Sequence, residues 1–175
     1  RGHLSVALDP NFSSNNYVYI VYTMKTTPAR NVVVRYTAAG DVAQAGSAMT
    51  LQELSTFSTS THHCGSTLRF GPDGKLYIGA ADNSNGANAQ SLSNLLGKIL
   101  RINTDGSIPG DNPFYATNTG VFRSIWALGF RNPFTFEFQR GTGRLFINDV
   151  GSSKYEEINQ GLAGGNYGWP TTEGP

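Results

Sequence analysis

Apolar and polar residues alternate along most of this chain in short runs broken by turn-forming clusters. Residues 4–8 (LSVAL), 17–23 (YVYIVYT) and 31–37 (NVVVRYT) are rich in β-branched and aromatic side chains, the composition of strands. Asp-Pro-Asn after the first run and Ala-Gly-Asp after the third read as turns. Residues 49–54 form a weaker strand. Residues 68–70 and 76–78 flank Gly71-Pro72-Asp73-Gly74 and predict a hairpin. Most of 95–102 reads as strand, because Gly97 interrupts any helical pattern and Asn-Thr-Asp-Gly follows. Residues 121–128, 134–138, 144–148 and 156–159 complete the strands, and 83–93 and 110–120 read as loops. No long amphipathic helix is predicted.

Three stretches share one plan of alternating apolar residues, a polar turn and an aromatic-rich strand. They are V-A-L-D-P-N-F…Y-V-Y-I, L-R-F-G-P-D-G-K-L-Y-I and F-E-F-Q-R-G-T-G-R-L-F-I. Their spacing exceeds the roughly 40–50 residues of common propeller blades, so loops are inserted between units. The expectation is an all-β chain, a β-propeller first and a sandwich second. Three repeats cannot close a ring of about 4–8 blades. Together with the abrupt start at Arg1 and end at Pro175, this reads as part of a longer structure. Residues 1–175 are expected to form one partial propeller, and its open ends could close by pairing with a second copy.

Composition narrows the function classes. A net charge of +1 with scattered basic residues argues against a nucleic-acid partner. No apolar run approaches the roughly 20 residues of a membrane span. The single cysteine, Cys64, excludes an internal disulfide. Low charge with abundant Asn, Ser and Thr suits a periplasmic or extracellular protein.

The hairpins concentrate the candidate chemistry. Counting outward from the Pro72-Asp73 turn brings His63 opposite Asp82, within a residue. A histidine oriented by a carboxylate is the basic unit of general-base chemistry. Counting from the turn at 140–142 brings Arg131 and Asn132 opposite Val150 and Gly151. The two hairpins thus deliver His63, Asp82, Arg131, Asn132 and Asp149 to one rim. A base, a carboxylate, a fixed cation and an amide together suit an oxyanion-bearing or quinone-like ligand. The bland alternatives remain open here: Asp82 as a turn cap, Arg131 as a tie between sheets, and Glu157 as a surface carboxylate.

Six motifs follow one another along the chain: G-x-L-x-x-A-x-D-P-N-F, H-x-G-x-x-L-x-F-G-P-D-G-K-L-Y, L-G-K-I-L-R-I-N-x-D-G-x-I-P-x-D-N-P-F, W-A-L-G-F-R-N-P-F, D-V-G-x-x-x-x-E-E-I-N and G-G-N-Y-G-W-P-x-x-E-G. In this order they resemble the soluble glucose/sorbosone dehydrogenase family, the PQQ-dependent aldose dehydrogenases built on a six-bladed β-propeller. The resemblance covers about half of that propeller, some three blades. It implies oxidation of an aldose sugar at the anomeric hydroxyl to a lactone, with an external electron acceptor. His63 then matches the catalytic base, Asp82 the carboxylate that orients it, and Arg131 and Asn132 cofactor contacts, with Arg131 stabilising developing charge. Gly151 and Ser152 match carbonyl ligands of a Ca²⁺ beside PQQ. Glu157 and the Tyr167 carbonyl match a second Ca²⁺ site. Apart from that carbonyl, the Asn-Tyr-Gly-Trp-Pro stretch reads as packing and turn. Cys64, Ser66, His3 and Ser5 depart from the residues common in the family. Cys64 and Ser66 motivate a rival reading, a non-catalytic extracellular propeller that binds a glycan or a protein.

Overall fold

The computed structural model describes residues 2–174. Its strands are β1 His3–Leu8, β2 Tyr17–Met24, β3 Arg30–Ala39, β4 Val42–Ala43, β5 Met49–Glu53, β6 Ser66–Phe70, β7 Leu76–Ala80, β8 Lys98–Ile102, β9 Ile125–Leu128, β10 Pro133–Phe138, β11 Leu145–Asp149 and β12 Glu157–Gly161. They form three antiparallel sheets. In the first, β1, β2 and β3 lie in order, and β3 pairs with both β4 and β5. The second is the meander β6-β7-β8-β9, and the third is β10-β11-β12. The first strand of the second sheet, β6, packs between β1 and β10, the first strands of its neighbours. This is the radial stacking of propeller blades, as the repeats led one to expect.

The period-2 side-chain pattern explains why the middle sheet is buried on both faces. Leu76 and Ile78 of β7, with Leu100 and Ile102 of β8, pack with Tyr19, Val21, Val33 and Leu51 of the first sheet. The intervening Tyr77 and Ile99 pack with Phe136, Leu145 and Ile147 of the third. One backbone position enforces the second contact: a Cβ at Gly79 would lie 3.2 Å from both the Phe136 ring and the Pro133 carbonyl.

Two short α-helices fall where turn or loop was expected, α1 at Phe12–Asn15 and α2 at Gly86–Gln90. Neither has an apolar period that sequence could reveal. Helix α2 starts at an Asn85 side chain that accepts from Ala87 N, and buries only Ala89. The expected strand 121–128 begins instead as a 3₁₀ turn, Gly120–Ser124, in which Ser124 Oγ donates to the Val121 carbonyl. Only Lys98–Ile102 of the expected 95–102 strand is extended.

Candidate functional site

The site lies where the second and third sheets meet. Asp82 N donates to the Arg131 carbonyl at 2.9 Å, stitching the loop after β7 to the loop before β10. The register of the first hairpin corrects the sequence count by one residue. Ser66 pairs with Ala80, and Asn83 N donates to the His63 carbonyl, so the residue facing Asp82 is Cys64. In a regular ladder His63 and Asp82 would then point to opposite faces. His63 takes a left-handed conformation, φ 48°, which breaks the alternation, and its Nδ1 reaches Asp82 Oδ1 at 2.8 Å. The second hairpin starts one residue off the expected count, with Phe138 opposite Leu145, and a register shift between Pro133 and Thr135 restores it, so that Val150 N donates to the Asn132 carbonyl.

Asp82 is 1 % exposed, and every polar direction is used. Oδ1 accepts from His63 Nδ1 and from Ser84 N at 2.8 Å, and Oδ2 accepts from the Trp169 indole N–H at 2.9 Å. A carboxylate acceptor at Nδ1 places the ring proton there and leaves Nε2 as the basic nitrogen. Nε2 has no hydrogen-bond partner among the described residues.

Arg131 approaches from the third sheet. Its Nη1 donates to the carbonyls of Val150 at 2.9 Å and Gly151 at 2.6 Å, and its guanidinium lies 5.5 Å from the centre of the Trp169 ring. Its backbone is fixed by the buried Asp149, whose carboxylate accepts from Arg131 N at 2.9 Å and Asn132 N at 2.6 Å. Burial pushes the Asp149 carboxyl up to about 6; those two N–H groups oppose the rise, while the charges of Glu157 and Asp82 add to it.

His62, His63, Asp82, Ser84, Gly86, Arg131, Ser152 and Trp169 line one open cavity of about 440 Å³. Asn132 does not line it; its Oδ1 lies toward Gly65. Glu157 and Tyr167 line a separate cavity of about 330 Å³ with Tyr155, Glu156 and Asn159. There Glu157 accepts from Gly174 N at 2.6 Å and from Asn159 Nδ2 at 3.0 Å. The Tyr167 hydroxyl bonds the Gln160 carbonyl and Leu162 N, and its ring stacks on Phe130.

Trp169 is the site residue that sequence reasoning placed in packing. Residues 165–169 run beside the end of β9, with Leu128 N on the Gly165 carbonyl, Tyr167 N on that of Leu128, and Trp169 N on that of Gly129. That return brings the indole to a carboxylate 87 residues earlier. No local pattern signals so distant a contact.

The chemistry expected of Ca²⁺ does not fit the groups present. A calcium ion takes 6–8 oxygen ligands. Among the described residues no three His, Cys, Asp or Glu side chains converge on a metal position. The Gly151 carbonyl is taken by the Arg131 guanidinium.

Comparison with known proteins agrees with the architecture. Residues 1–174 match the family model for glucose/sorbosone dehydrogenase. Quinoprotein glucose dehydrogenase B of Acinetobacter calcoaceticus is 32% identical over 99% of this chain and 41% of its own length. An oxidoreductase of Thermus thermophilus, titled a glucose dehydrogenase, superposes with a TM-score of 0.91 at 33% identity, over 100% of this chain and 54% of that one. The PQQ-bound aldose sugar dehydrogenase of Streptomyces coelicolor does so with 0.81 at 30% identity, over 99% and 49%. The chain thus spans 41–54% of the length of these three proteins, and it belongs to the glucose/sorbosone dehydrogenase family.

Proposed function

We propose that the cavity is part of the active site of a PQQ-dependent sugar dehydrogenase that oxidises the anomeric hydroxyl of an aldose. The observation that carries this reading is the convergence of a carboxylate-held imidazole and a guanidinium on one cavity. The quinoprotein and PQQ-bound relatives support the cofactor class. The donor chemistry suits PQQ: a guanidinium for its anionic oxygens, an indole face, and a cavity open enough for a fused-ring acid. Arg131 and Trp169 are the residues assigned to hold it. When bound, PQQ supplies the two-electron acceptor for the anomeric hydride, so that the sugar leaves as a lactone.

The chain's own residues do the rest. His63 Nε2 accepts the hydroxyl proton, and Asp82 stabilises the resulting imidazolium through Nδ1. Ser84 N and the Trp169 indole hold Asp82 still, so the ring does not reorient during transfer. The Arg131 guanidinium presents positive charge to an oxygen that gains electron density. The reading includes a periplasmic or extracellular setting and an external acceptor that restores the oxidised cofactor.

The test is reconstitution with PQQ, followed by turnover of an aldose with an artificial acceptor. His63→Ala should retain PQQ uptake and lose about 10²–10⁴-fold in kcat, the usual contribution of a general base. Unchanged turnover would remove His63 from the role. Absence of PQQ uptake, with specific binding to a carbohydrate array, would replace the enzyme by a recognition module.

A further inference from the structure

Helix α2 touches both halves of the contact between Asp82 and Trp169. Asn88 Nδ2 donates to the Asp82 carbonyl at 2.9 Å. Two residues on, Gln90 Nε2 donates to the Trp169 carbonyl at 2.7 Å. The second proton of that nitrogen goes to Asn166 Oδ1 at 3.0 Å, and Asn166 Nδ2 returns a bond to Gln90 Oε1 at 2.8 Å. The two amides thus form a closed pair. Their orientation is set from outside, because Asn166 Oδ1 also accepts from Gly168 N at 3.0 Å and the Trp169 carbonyl can only accept. A flipped Gln90 amide would set oxygen against oxygen.

Trp169 is the residue on which this pair acts. Its N–H donates to the Gly129 carbonyl at 3.0 Å, which holds the peptide plane before it. The plane after it has no N–H, because residue 170 is proline. The Trp169 carbonyl is therefore the one polar handle on that plane, and Gln90 holds it. With both planes held, the two soft backbone dihedrals of Trp169 are set. The indole then leaves the chain toward Asp82 Oδ2, 2.9 Å away. Close packing leaves little slack. A Cβ at Gly86 would lie 2.6 Å from Pro170 Cβ and 3.2 Å from the indole nitrogen, and one at Gly129 would overlap Asn166 Oδ1. The amide pair itself lies at the surface, and Gln90 does not line the cavity. Solvent-accessible bonds of this kind add little to global stability. What they supply here is direction.

We propose that Gln90 is a positioning residue: its amide, braced by Asn166, fixes the Trp169 backbone so that the indole stays on Asp82 and Asp82 stays on His63. The inference rests on the proposed function only in taking His63 as the base.

The experiment is hydrogen exchange by NMR on the 175-residue chain, beside steady-state kinetics of the PQQ-reconstituted protein. Gln90→Glu keeps the size of the side chain and removes both donors. It should speed exchange of the Trp169 indole proton about tenfold, the loss of roughly one hydrogen bond. The amides of Ile78 and Leu100, buried in the middle sheet, should keep their native rates. The value of kcat should fall about three- to tenfold with KM near native. Gln90→Met serves if the introduced charge prevents folding. Indole exchange at the native rate would overturn the inference, since Trp169 would then be held without Gln90. Exchange that accelerates in step with Ile78 and Leu100 would overturn it too, by reducing Gln90 to a general stabiliser. Faster indole exchange, in a protein whose native form shows no sugar turnover, would sink the dehydrogenase reading alone. Native turnover with unchanged exchange would sink only this inference.

Discussion

At the scale of single residues, Asp82 is the pivot. It is buried, and it receives an imidazole, a backbone N–H and an indole N–H, so each donor restrains the others. Removing the indole donor should loosen the carboxylate without emptying the cavity. Trp169→Phe keeps the ring beneath Arg131 and is expected to lower kcat about tenfold with little change in KM, the effect of one hydrogen bond to a charged group. Trp169→Ala removes the ring as well and should also raise KM; steady-state kinetics of the reconstituted protein separates the two. The hairpin count from the Gly71–Gly74 turn came within one residue of the His63–Asp82 pair, but the observed register places Cys64 opposite Asp82. The positive φ of His63 was not legible, since it is the tertiary site that holds a non-glycine residue in that region. Nor was the turn of Asn132 away from the cavity.

At the scale of elements, the strands were legible and the helices were not. Runs such as Tyr17–Met24 carry their own β-propensity, whereas α2 exists because its surroundings hold it. The main anchor is Lys98, a fully buried ammonium that donates to the carbonyls of Asn88 at 2.6 Å, Ala89 at 2.9 Å and Leu96 at 2.8 Å. Asn88 in turn donates to the Asp82 carbonyl at 2.9 Å, so the anchor reaches the site. Lys98→Met would take the ammonium donor from all three carbonyls, leaving Asn88 and Ala89 only the backbone donors Ser91 N and Gly129 N, and should destabilise the fold by about 1–3 kcal/mol in chemical denaturation. Burial lowers the Lys98 ammonium to about 7 from its ordinary 10.5. Between those values the unfolded chain binds the proton more tightly, so the Lys98 contribution to stability should rise with pH across that window. Denaturation midpoints from pH 7 to 10 should show this rise in the native chain and lose it in Lys98→Met.

At the scale of the whole molecule, two sheet faces have no partner within the described chain. Val6 at 58% and Leu8 at 56% exposure mark the outer face of the first sheet, beside an apolar groove lined by Val18, Ile20 and Tyr22. Phe134 at 67% and Ile158 at 78% mark the third. Patches of this kind seek cover. Because the chain matches 54% and 49% of two solved propellers, two copies together approach one ring. Sedimentation of the 175-residue chain should show concentration-dependent pairing that Ile158→Lys weakens; a strict monomer at all concentrations would contradict it. The repeats made the three-sheet array legible, but the joint between the second and third sheets was not, because it depends on Gly79 and on the Asp82–Arg131 backbone bond across it. That joint brings His63 and Arg131 to one cavity, and the tautomer of His63 tests the proposed role of His63 most directly. Nitrogen-15 spectra of the neutral imidazole should show a far-downfield proton on Nδ1 and a bare Nε2, with Asp82→Asn abolishing the pattern. A proton on Nε2 in the native chain would contradict the proposed base.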